Sequence, residues 1–292
     1  MRLCSLLPSA TEIVGAVGLA DSLVGRSAEC DWPPEVRPLP VVTAARIDTS
    51  EMASFEIDRA VREAIADGRS LYALDEELIE ALDPDLVLTQ DLCAVYAVSS
   101  DEVSRLCAVD AEVVSLDPRT IPEIERSVLE LAQRLGVPDR GARVAAQIEE
   151  KIDRVRELVA GLEPRRVFVA EWLDPPFATG HWVPEMVAHA GGEEVLGRAG
   201  EASFATTWEA VRARSPDLVV LAPCGFDAAR AAREAAALPP LPCRAVAVDA
   251  NAYFSRAAPR VADGIAQLAF LLHPEAVPDP GLPWIELVLA TS

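Results

Sequence analysis

Three of the six cysteines and one of the three histidines follow short apolar segments that predict β-strands. They are Cys30, Cys93, Cys224 and His181. In parallel α/β sheets, ligands bind at the carboxyl ends of the strands, and thiolate and imidazole groups bind soft metals and metal chelates. We therefore predict that the four side chains lie near one ligand-binding cleft between two lobes of the chain, with the three cysteines as candidate metal ligands. The alternative is that each cysteine is a small, buried apolar side chain.

Polar and aromatic side chains follow the same strands and could surround a flat ligand, such as a tetrapyrrole or another metal chelate. Aromatic rings pack against the faces of such ligands, and free N–H groups at the start of the first helix could bind an anion or a carbonyl group. The alternative for the aromatic residues is local packing beneath loops. The predicted ligand-binding residues are Ser9, Thr11, Glu29, Asp31, Trp32, Gln90, Trp172, Phe177, His181, Trp182, Tyr253 and Phe254.

The same residues allow a second chemistry, in which a thiol acts as a nucleophile. Cys93 or Cys224 would attack the substrate and His181 would act as the base. Neither cysteine lies in a recognisable nucleophile motif, and the chain contains no P-loop and no G-x-G-x-x-G segment. We therefore predict a binding protein without catalytic residues and keep a thiol enzyme as the alternative.

Composition excludes several classes of protein. The 292 residues are 51% apolar and 25% charged, which is typical of a globular chain. Lys and Arg total 26 against 47 Asp and Glu, and the formal charge of −21 disfavours binding to nucleic acids or to anionic membranes. The apolar stretches are far shorter than the ~20 residues that span a bilayer, so no membrane insertion is expected.

Short apolar segments alternate with helical patterns along both halves of the chain, which is typical of a parallel sheet covered by helices. After the first predicted strand, Ser9–Glu12 matches a capping box with Ser9 as the N-cap. The predicted strands are Arg2–Leu6, Leu23–Arg26, Leu86–Thr89, Val113–Leu116, Arg166–Ala170, Leu218–Ala222 and Ala245–Val248.

One long helix is predicted between the two alternating regions, over Asp139–Leu162. Its apolar residues form a single stripe at helical spacing: Val144, Ile148, Ile152, Val155 and Val159. We predict an α/β fold of two lobes with parallel sheets joined by this helix, with domains over residues 1–118, 119–163 and 164–292. The alternative is an ordinary helix packed on one sheet.

The two halves share a short repeat. Asp83–Leu88 resembles Ser215–Val220, and a glutamate precedes the aspartate of each P-D-L-V segment by eight residues. These glutamates are Glu77 and Glu209. The repeat therefore predicts one exposed glutamate at the same place on each lobe, although either could also be an ordinary solvated helix residue.

Seven segments, in order along the chain, carry a resemblance to a known family. They are Leu6–Glu12, Asp31–Pro34, Leu82–Leu88, Asp174–Gly180, Gly191–Glu193, Arg214–Val219 and Phe254–Arg260. With these segments the chain resembles the solute-binding proteins of the vitamin B12 and iron-chelate class, which serve ABC transporters. The resemblance implies two α/β lobes joined by one long helix, a ligand held between them, and docking of Glu77 and Glu209 to arginines of a transporter permease.

The ligand pocket departs from the family pattern. The positions that align with the aromatic residues flanking a corrin ring are Glu29, Ala45, Gln90 and Ser203, and Asp48–Gly68 is an insertion. None of these four residues is aromatic, so the expected ligand is not restricted to corrinoids. It is a corrinoid such as cobalamin, another tetrapyrrole or a metal chelate. The alternative is a sensor or carrier on the same scaffold that passes its ligand to a cytoplasmic partner protein.

The amino-terminal residues do not match a secretory signal. Pro8 and Glu12 interrupt the apolar run before a hydrophobic region can form. We therefore expect a cytoplasmic protein from the sequence as it stands, or a periplasmic one if a signal peptide has been removed.

Overall fold

The computed structural model describes residues 1–91, 111–241 and 243–288. The chain divides into two compact units. Unit 1 comprises Met1–Met52, Glu56–Pro118 and Glu125–Ala145, and unit 2 comprises Ala53–Phe55, Arg119–Ile124 and Ala146–Ser292. Cys93 and Cys107 lie outside the described residues.

Unit 1 contains a four-stranded parallel sheet in the order β2-β1-β5-β6. The two central strands, β1 and β5, are buried along their whole length, as expected of a parallel sheet between helices. A second sheet is an antiparallel pair of β3 and β4. The strands are β1 (Leu3–Ser5), β2 (Leu23–Arg26), β3 (Thr43–Ala45), β4 (Tyr72–Leu74), β5 (Leu86–Thr89) and β6 (Glu112–Ser115).

Unit 2 contains a seven-stranded mixed sheet in the order β10-β8-β7-β11-β12-β13, with β9 also paired to β7. Strands β7, β9, β11 and β12 are parallel, whereas β8, β10 and β13 pair antiparallel. The strands are β7 (Arg165–Leu173), β8 (Pro176–Ala178), β9 (Gly192–Glu194), β10 (Phe204–Ala205), β11 (Leu218–Leu221), β12 (Arg244–Val248) and β13 (Trp284–Glu286).

Helices connect these strands. They are α1 (Pro8–Ala16), α2 (Ser54–Ala66), α3 (Glu76–Leu82), α4 (Ile121–Arg134), α5 (Pro138–Val159), α6 (Val183–His189), α7 (Trp208–Ala213), α8 (Ala228–Glu234), α9 (Ala250–Tyr253) and α10 (Val261–Leu272). In the part of the chain that the structure describes, none of them is long and apolar enough to cross a bilayer.

The predicted α/β class is confirmed, with strands from the two halves in separate sheets. The expectation that the sheets are parallel holds for the four-stranded sheet of unit 1 and for the centre of the sheet of unit 2, but not for the β3–β4 pair of unit 1. It is wrong at the edges of unit 2, where antiparallel strands of only two or three residues escape a pattern-based prediction.

The long predicted helix is α5, and the five residues of its apolar stripe are all buried. It begins at Pro138, close to the predicted start, and ends three residues early at Val159. Gly161 follows with a φ of +79°, a left-handed conformation that favours glycine and ends a helix. The boundary between the units falls within α5, after Ala145.

The predicted capping box at Ser9 is wrong. The N-cap of α1 is Leu7, Pro8 occupies the first turn, and no side chain caps the helix. Proline suits the first helical turn because its missing N–H would have no helical partner there. Ser9 therefore lies one residue inside the helix, where its side chain is buried.

Candidate functional site

The strand ends of unit 1 hold a cluster of small polar side chains, which we call the unit-1 thiol cluster: Ser5, Thr11, Ser27 and Cys30. Thr11 Oγ1 lies 2.8 Å from Ser5 Oγ and 3.0 Å from Cys30 Sγ, and Ser27 Oγ lies 3.1 Å from the same sulfur. The thiol also lies 3.8 Å from the Ser5 carbonyl oxygen, to which it donates. All four residues are buried, so their polar groups satisfy one another in the interior of unit 1.

This arrangement corrects two predictions. The sequence predicts that Cys30 faces a cleft as a metal ligand. The structure instead places it in the interior of unit 1, where its thiol is hydrogen-bonded. Thr11 is fully buried in the same cluster, so its hydroxyl faces the interior rather than a ligand. Among the described residues, no group of three or more His, Cys, Asp or Glu side chains could hold a metal ion. The third candidate ligand, Cys93, lies outside those residues.

The other predicted ligand-binding residues of unit 1 are more accessible. Glu29 and Trp32 are exposed, and Asp31 and Gln90 are partly exposed. Trp32 retains 41% of its surface. These four side chains therefore remain candidates for ligand contact on unit 1.

In unit 2, two of the predicted ligand-binding aromatic residues are packing residues. Trp182 and Phe254 are 7% and 2% exposed, and the indole Nε1 of Trp182 donates to the Phe254 carbonyl oxygen at 2.9 Å. Buried tryptophans usually find such a partner because an unpaired indole N–H is costly. The prediction that these two rings flank a ligand is therefore wrong.

Three aromatic residues of unit 2 are partly exposed: Trp172, Phe177 and Tyr253. The ring of Trp172 lies 5.3 Å from that of Phe226, and its Nε1 donates to the Ser54 carbonyl oxygen at 3.2 Å. Burial raises the pKa of the Tyr253 hydroxyl. Trp172 lies near the carboxyl end of β7, Phe177 pairs with it from β8, and Tyr253 ends the helix that follows β12.

His181 is held by its backbone in a left-handed conformation, with a φ of +50°. Its N–H donates to the Glu201 carbonyl oxygen at 2.7 Å, and its own carbonyl accepts from Gly200 at 2.9 Å. Burial and the charge of Arg119 lower the pKa of the imidazole. These bonds join the loop after β8 to the loop before β10.

A second polar cluster lies at the end of β7, and its carboxyl is not among the predicted ligand-binding residues. We call it the unit-2 acid cluster, and it comprises Glu171, Ser203 and Cys224. Ser203 Oγ donates to Glu171 Oε1 at 2.8 Å, and the Cys224 thiol approaches the same oxygen at 4.0 Å. All three residues are partly exposed. The signal that could have found Glu171 is a carboxylate at the end of a central parallel strand.

Electrostatics set the unit-2 acid cluster apart from a nucleophile site. Burial raises the pKa of the Glu171 carboxyl, opposed by hydrogen bonds from Ser203 and from the Gly180 backbone. When ionised, this carboxylate disfavours a thiolate beside it, whereas an activated cysteine needs positively charged neighbours. The arrangement around Cys224 therefore suits hydrogen bonding better than nucleophilic attack.

A second carboxyl of unit 2 belongs to Glu194, a partly buried residue at the end of β9. Its oxygens accept from the backbone N–H groups of Val169, Leu196 and Gly197 at 3.0 to 3.2 Å. Burial outweighs these bonds and raises its pKa to about 7. Glu194 thus anchors the turn after β9 to the central strand β7, which is a structural role.

Glu77 and Glu209 occupy equivalent positions in the two units. Each lies in the first turn of a short helix, two residues after the N-cap, and each is exposed. Asp75 accepts from Leu78 at 3.0 Å in one unit, and Thr207 caps its helix in the same way in the other. The sequence repeat is therefore a repeat of local structure.

The equivalence continues into the strand that follows each helix. Asp85 Oδ2 accepts from the backbone N–H of Arg2 at 2.6 Å, and Asp217 Oδ2 accepts from that of Arg166 at 2.9 Å. Each aspartate thus ties its P-D-L-V strand to the neighbouring parallel strand. This matched framework holds Glu77 and Glu209 at corresponding points.

Glu77 also lines a surface pocket of unit 1 with a volume of about 640 Å³. Its lining residues come from the β3–β4 sheet and the start of α3: Val41, Thr43, Ala44, Ala73, Leu74, Asp75, Glu76 and Glu77. Glu209 differs in its neighbours, since it accepts a hydrogen bond from Arg212 at 2.8 Å. Its pKa is lowered, first by a hydrogen bond from its own backbone amide.

Comparison with known proteins identifies the family. A model of the periplasmic binding protein family matches residues 3–237, and the chain belongs to that family. It is a solute-binding protein of the class that serves ABC transporters. The vitamin B12-binding protein of Yersinia pestis (strain Pestoides F) is 27% identical over 269 residues, which cover 91% of this chain and 84% of that protein.

Solved structures share the fold. A periplasmic heme-binding protein from Pseudomonas aeruginosa superposes with a TM-score of 0.75 and 20% identity, covering 100% of this chain and 99% of that one. The periplasmic vitamin B12-binding protein of Vibrio cholerae gives a TM-score of 0.66 and 21% identity, covering 94% and 96%.

Proposed function

We propose that this protein binds a corrinoid or another tetrapyrrole and delivers it to an ABC transporter permease, without catalysing a reaction. The observation that carries the proposal is the similarity of this chain to a vitamin B12-binding protein over 91% of the length of this chain. The accessible side chains at the strand ends of each unit support it, because Trp32, Trp172 and Tyr253 keep exposed surface that can pack against a flat ring. The acid environment of Cys224 also favours binding over thiol catalysis.

The ligand proposal is tested by titrating the purified protein with cyanocobalamin and with Fe(III) heme, followed by absorption spectroscopy and native mass spectrometry. We expect a 1:1 complex with at least one of them. Binding to neither tetrapyrrole would overturn the proposal.

Docking to the permease through Glu77 and Glu209 is supported by their matched positions, one in each unit. Exposed charges at the edge of a protein–protein interface mainly change the rate at which the partner associates, and they have little effect on the affinity for a ligand bound elsewhere. Reversal of both charges should therefore remove permease binding and leave ligand affinity unchanged.

The test compares Glu77→Arg/Glu209→Arg with the control Glu76→Arg/Glu201→Arg, which changes the net charge equally at two other exposed glutamates. Binding is measured to the permease from the same organism in proteoliposomes. The control should keep more binding than the test variant by at least about tenfold. Equal binding by the two variants would remove the docking proposal and favour a carrier that serves another partner protein.

A further inference from the structure

The unit-2 acid cluster is built from loops that leave its carboxyl little freedom. A Cβ atom at Gly180 would lie 2.3 Å from the Glu201 carbonyl oxygen and 2.5 Å from the Ser203 backbone nitrogen. This close approach leaves room only for glycine at position 180. The loop that carries Ser203 therefore packs directly against Gly180, whose backbone N–H donates to the Glu171 carboxyl. The backbone N–H of Cys224 also donates to the Glu171 carbonyl oxygen at 3.1 Å. Glu171 is thus a preorganised acceptor.

The partners of this acceptor are neutral. In the part of the chain that the structure describes, the Glu171 carboxyl accepts hydrogen bonds from a serine hydroxyl, a thiol and the Gly180 backbone. These bonds use part of the capacity of a carboxylate, whose two oxygens offer about four lone-pair sites. The residue is also partly exposed, so part of it is accessible to a ligand group.

The residues that follow β12 differ from the acid cluster, because both acidic and basic side chains lie near Asp249. The Asp249 carboxyl caps α9 by accepting from Ala252 at 2.9 Å. Burial raises its pKa, Asp227 raises it further, and the charges of Arg260 and Arg256 oppose that rise. A ligand anion would therefore meet charged groups of both signs near β12. At the end of β7 it would meet an acidic side chain whose described hydrogen-bond partners carry no positive charge.

Ligand chemistry follows from this difference. The edge of a cobalamin ring carries carboxamide groups, whose N–H bonds can donate to a carboxylate. The edge of heme carries two propionates, which a carboxylate repels, since like charges cost free energy when partly removed from water. One hydrogen bond to a charged group changes an affinity by at least about tenfold, which is enough to decide between a ligand edge of amides and one of carboxylates.

We propose that Glu171, held by Ser203 and Cys224, is a specificity-determining residue that accepts hydrogen bonds from the amide edge of a corrinoid and disfavours tetrapyrroles with free carboxylates. The inference rests on the proposed tetrapyrrole-binding function and concerns ligand choice. Unit 2 would therefore supply the hydrogen-bond acceptor for the polar groups at the edge of the ligand ring.

The test measures the dissociation constants of cyanocobalamin and Fe(III) heme for the full chain and for Glu171→Gln. The matched control is Glu201→Gln, which removes one negative charge from an exposed residue of the neighbouring loop. We expect the wild type to prefer cobalamin. Glu171→Gln should weaken cobalamin binding and strengthen heme binding, so that the ratio of the two constants shifts by at least about tenfold. The control should shift the ratio by less than about twofold.

A second variant keeps the test valid if Glu171→Gln unfolds unit 2. Ser203→Ala removes only the hydroxyl that orients Glu171 Oε1, and it should shift the ratio in the same direction by a smaller factor. A wild-type preference for heme, or an unchanged ratio in both variants, would overturn the inference while leaving the proposed function intact. Binding of neither ligand by the wild type would instead overturn the proposed function.

Discussion

Polar residues at the strand ends take opposite roles in the two units. In unit 1, Cys30 is fully buried, and its thiol is bonded to neutral groups of the thiol cluster. In unit 2, Cys224 keeps an exposed edge beside the Glu171 carboxyl. Both cysteines follow a short parallel strand, so the difference comes from the loops that cover them. Position at a strand end therefore identifies candidates for ligand contact, and burial decides among them.

The largest expected effect concerns ionisation within unit 2. The pKa of Glu194 rises from an ordinary value of 4.5 to about 7, because its carboxyl is buried. The folded state therefore binds this proton more tightly than the unfolded chain does. Its contribution to stability is fully present below pH 4.5 and is lost as the pH rises to about 7. The loss amounts to about 3 kcal/mol of the free energy of unfolding.

Urea unfolding of the wild type and of Glu194→Gln at several pH values between 4.5 and 8 checks this. Tryptophan fluorescence can follow unit 2, where Trp182 and Trp208 are buried. The difference in free energy between wild type and variant should change by about 3 kcal/mol across this range. A constant difference would show that Glu194 does not titrate as proposed.

Two tryptophans sharpen the comparison between the units. Trp182→Phe in unit 2 removes the donor to the buried Phe254 carbonyl oxygen and leaves a small cavity, so it should cost about 2 kcal/mol of unfolding free energy. Trp32→Phe in unit 1 changes a side chain that is 41% exposed and should cost less than about 0.5 kcal/mol. Chemical denaturation of both variants measures the two values. Equal costs would contradict the assignment of Trp182 to packing.

The thiols themselves provide a smaller contrast. Cys30→Ala should lower the free energy of unfolding by about 1–2 kcal/mol, because it leaves the polar partners of a buried thiol unsatisfied. Cys224→Ala should change it by less than about 0.5 kcal/mol, since water can replace the thiol at a partly exposed site. A greater loss in Cys224→Ala than in Cys30→Ala would reverse the comparison.

The least perturbing test is chemical modification of the native protein. Iodoacetamide should modify Cys224 before Cys30 and Cys4, because the latter two are fully buried and react only after local opening. Peptide mapping by mass spectrometry after short reaction times gives the order. Modification of Cys30 first would show that the unit-1 thiol cluster is open to solvent.

Some parts of the fold could be predicted residue by residue. Strands β2 and β5 begin and end where their Leu and Val runs predict, and the apolar stripe of α5 is buried throughout. The repeat around Glu77 and Glu209 was also readable, because a glutamate, a proline turn and an apolar strand recur at fixed offsets. Such signals are local, so hydrophobic periodicity and turn residues suffice to find them.

Other parts could not be predicted. The short strands β8 and β10 form because each pairs with a neighbour in the sheet, and two or three residues carry no usable period. The burial of Trp182 depends on the Phe254 carbonyl group, 72 residues further along the chain. Glu171 lies far in sequence from both Ser203 and Cys224, which converge on it only when the sheet assembles.

The amino-acid sequence by itself determined the α/β class, the long helix, the pair of exposed glutamates and a set of candidate residues at the strand ends. Only the tertiary structure decided which of these candidates a ligand can reach. At Cys30, the turn from Ser27 directs the thiol into the interior, with the Cys30 N–H donating to the Ser27 carbonyl oxygen at 3.2 Å. At Glu171, loops distant in sequence leave the residue partly exposed. Exposure depends on packing between segments that do not adjoin in sequence, and spacing along the chain cannot reveal it.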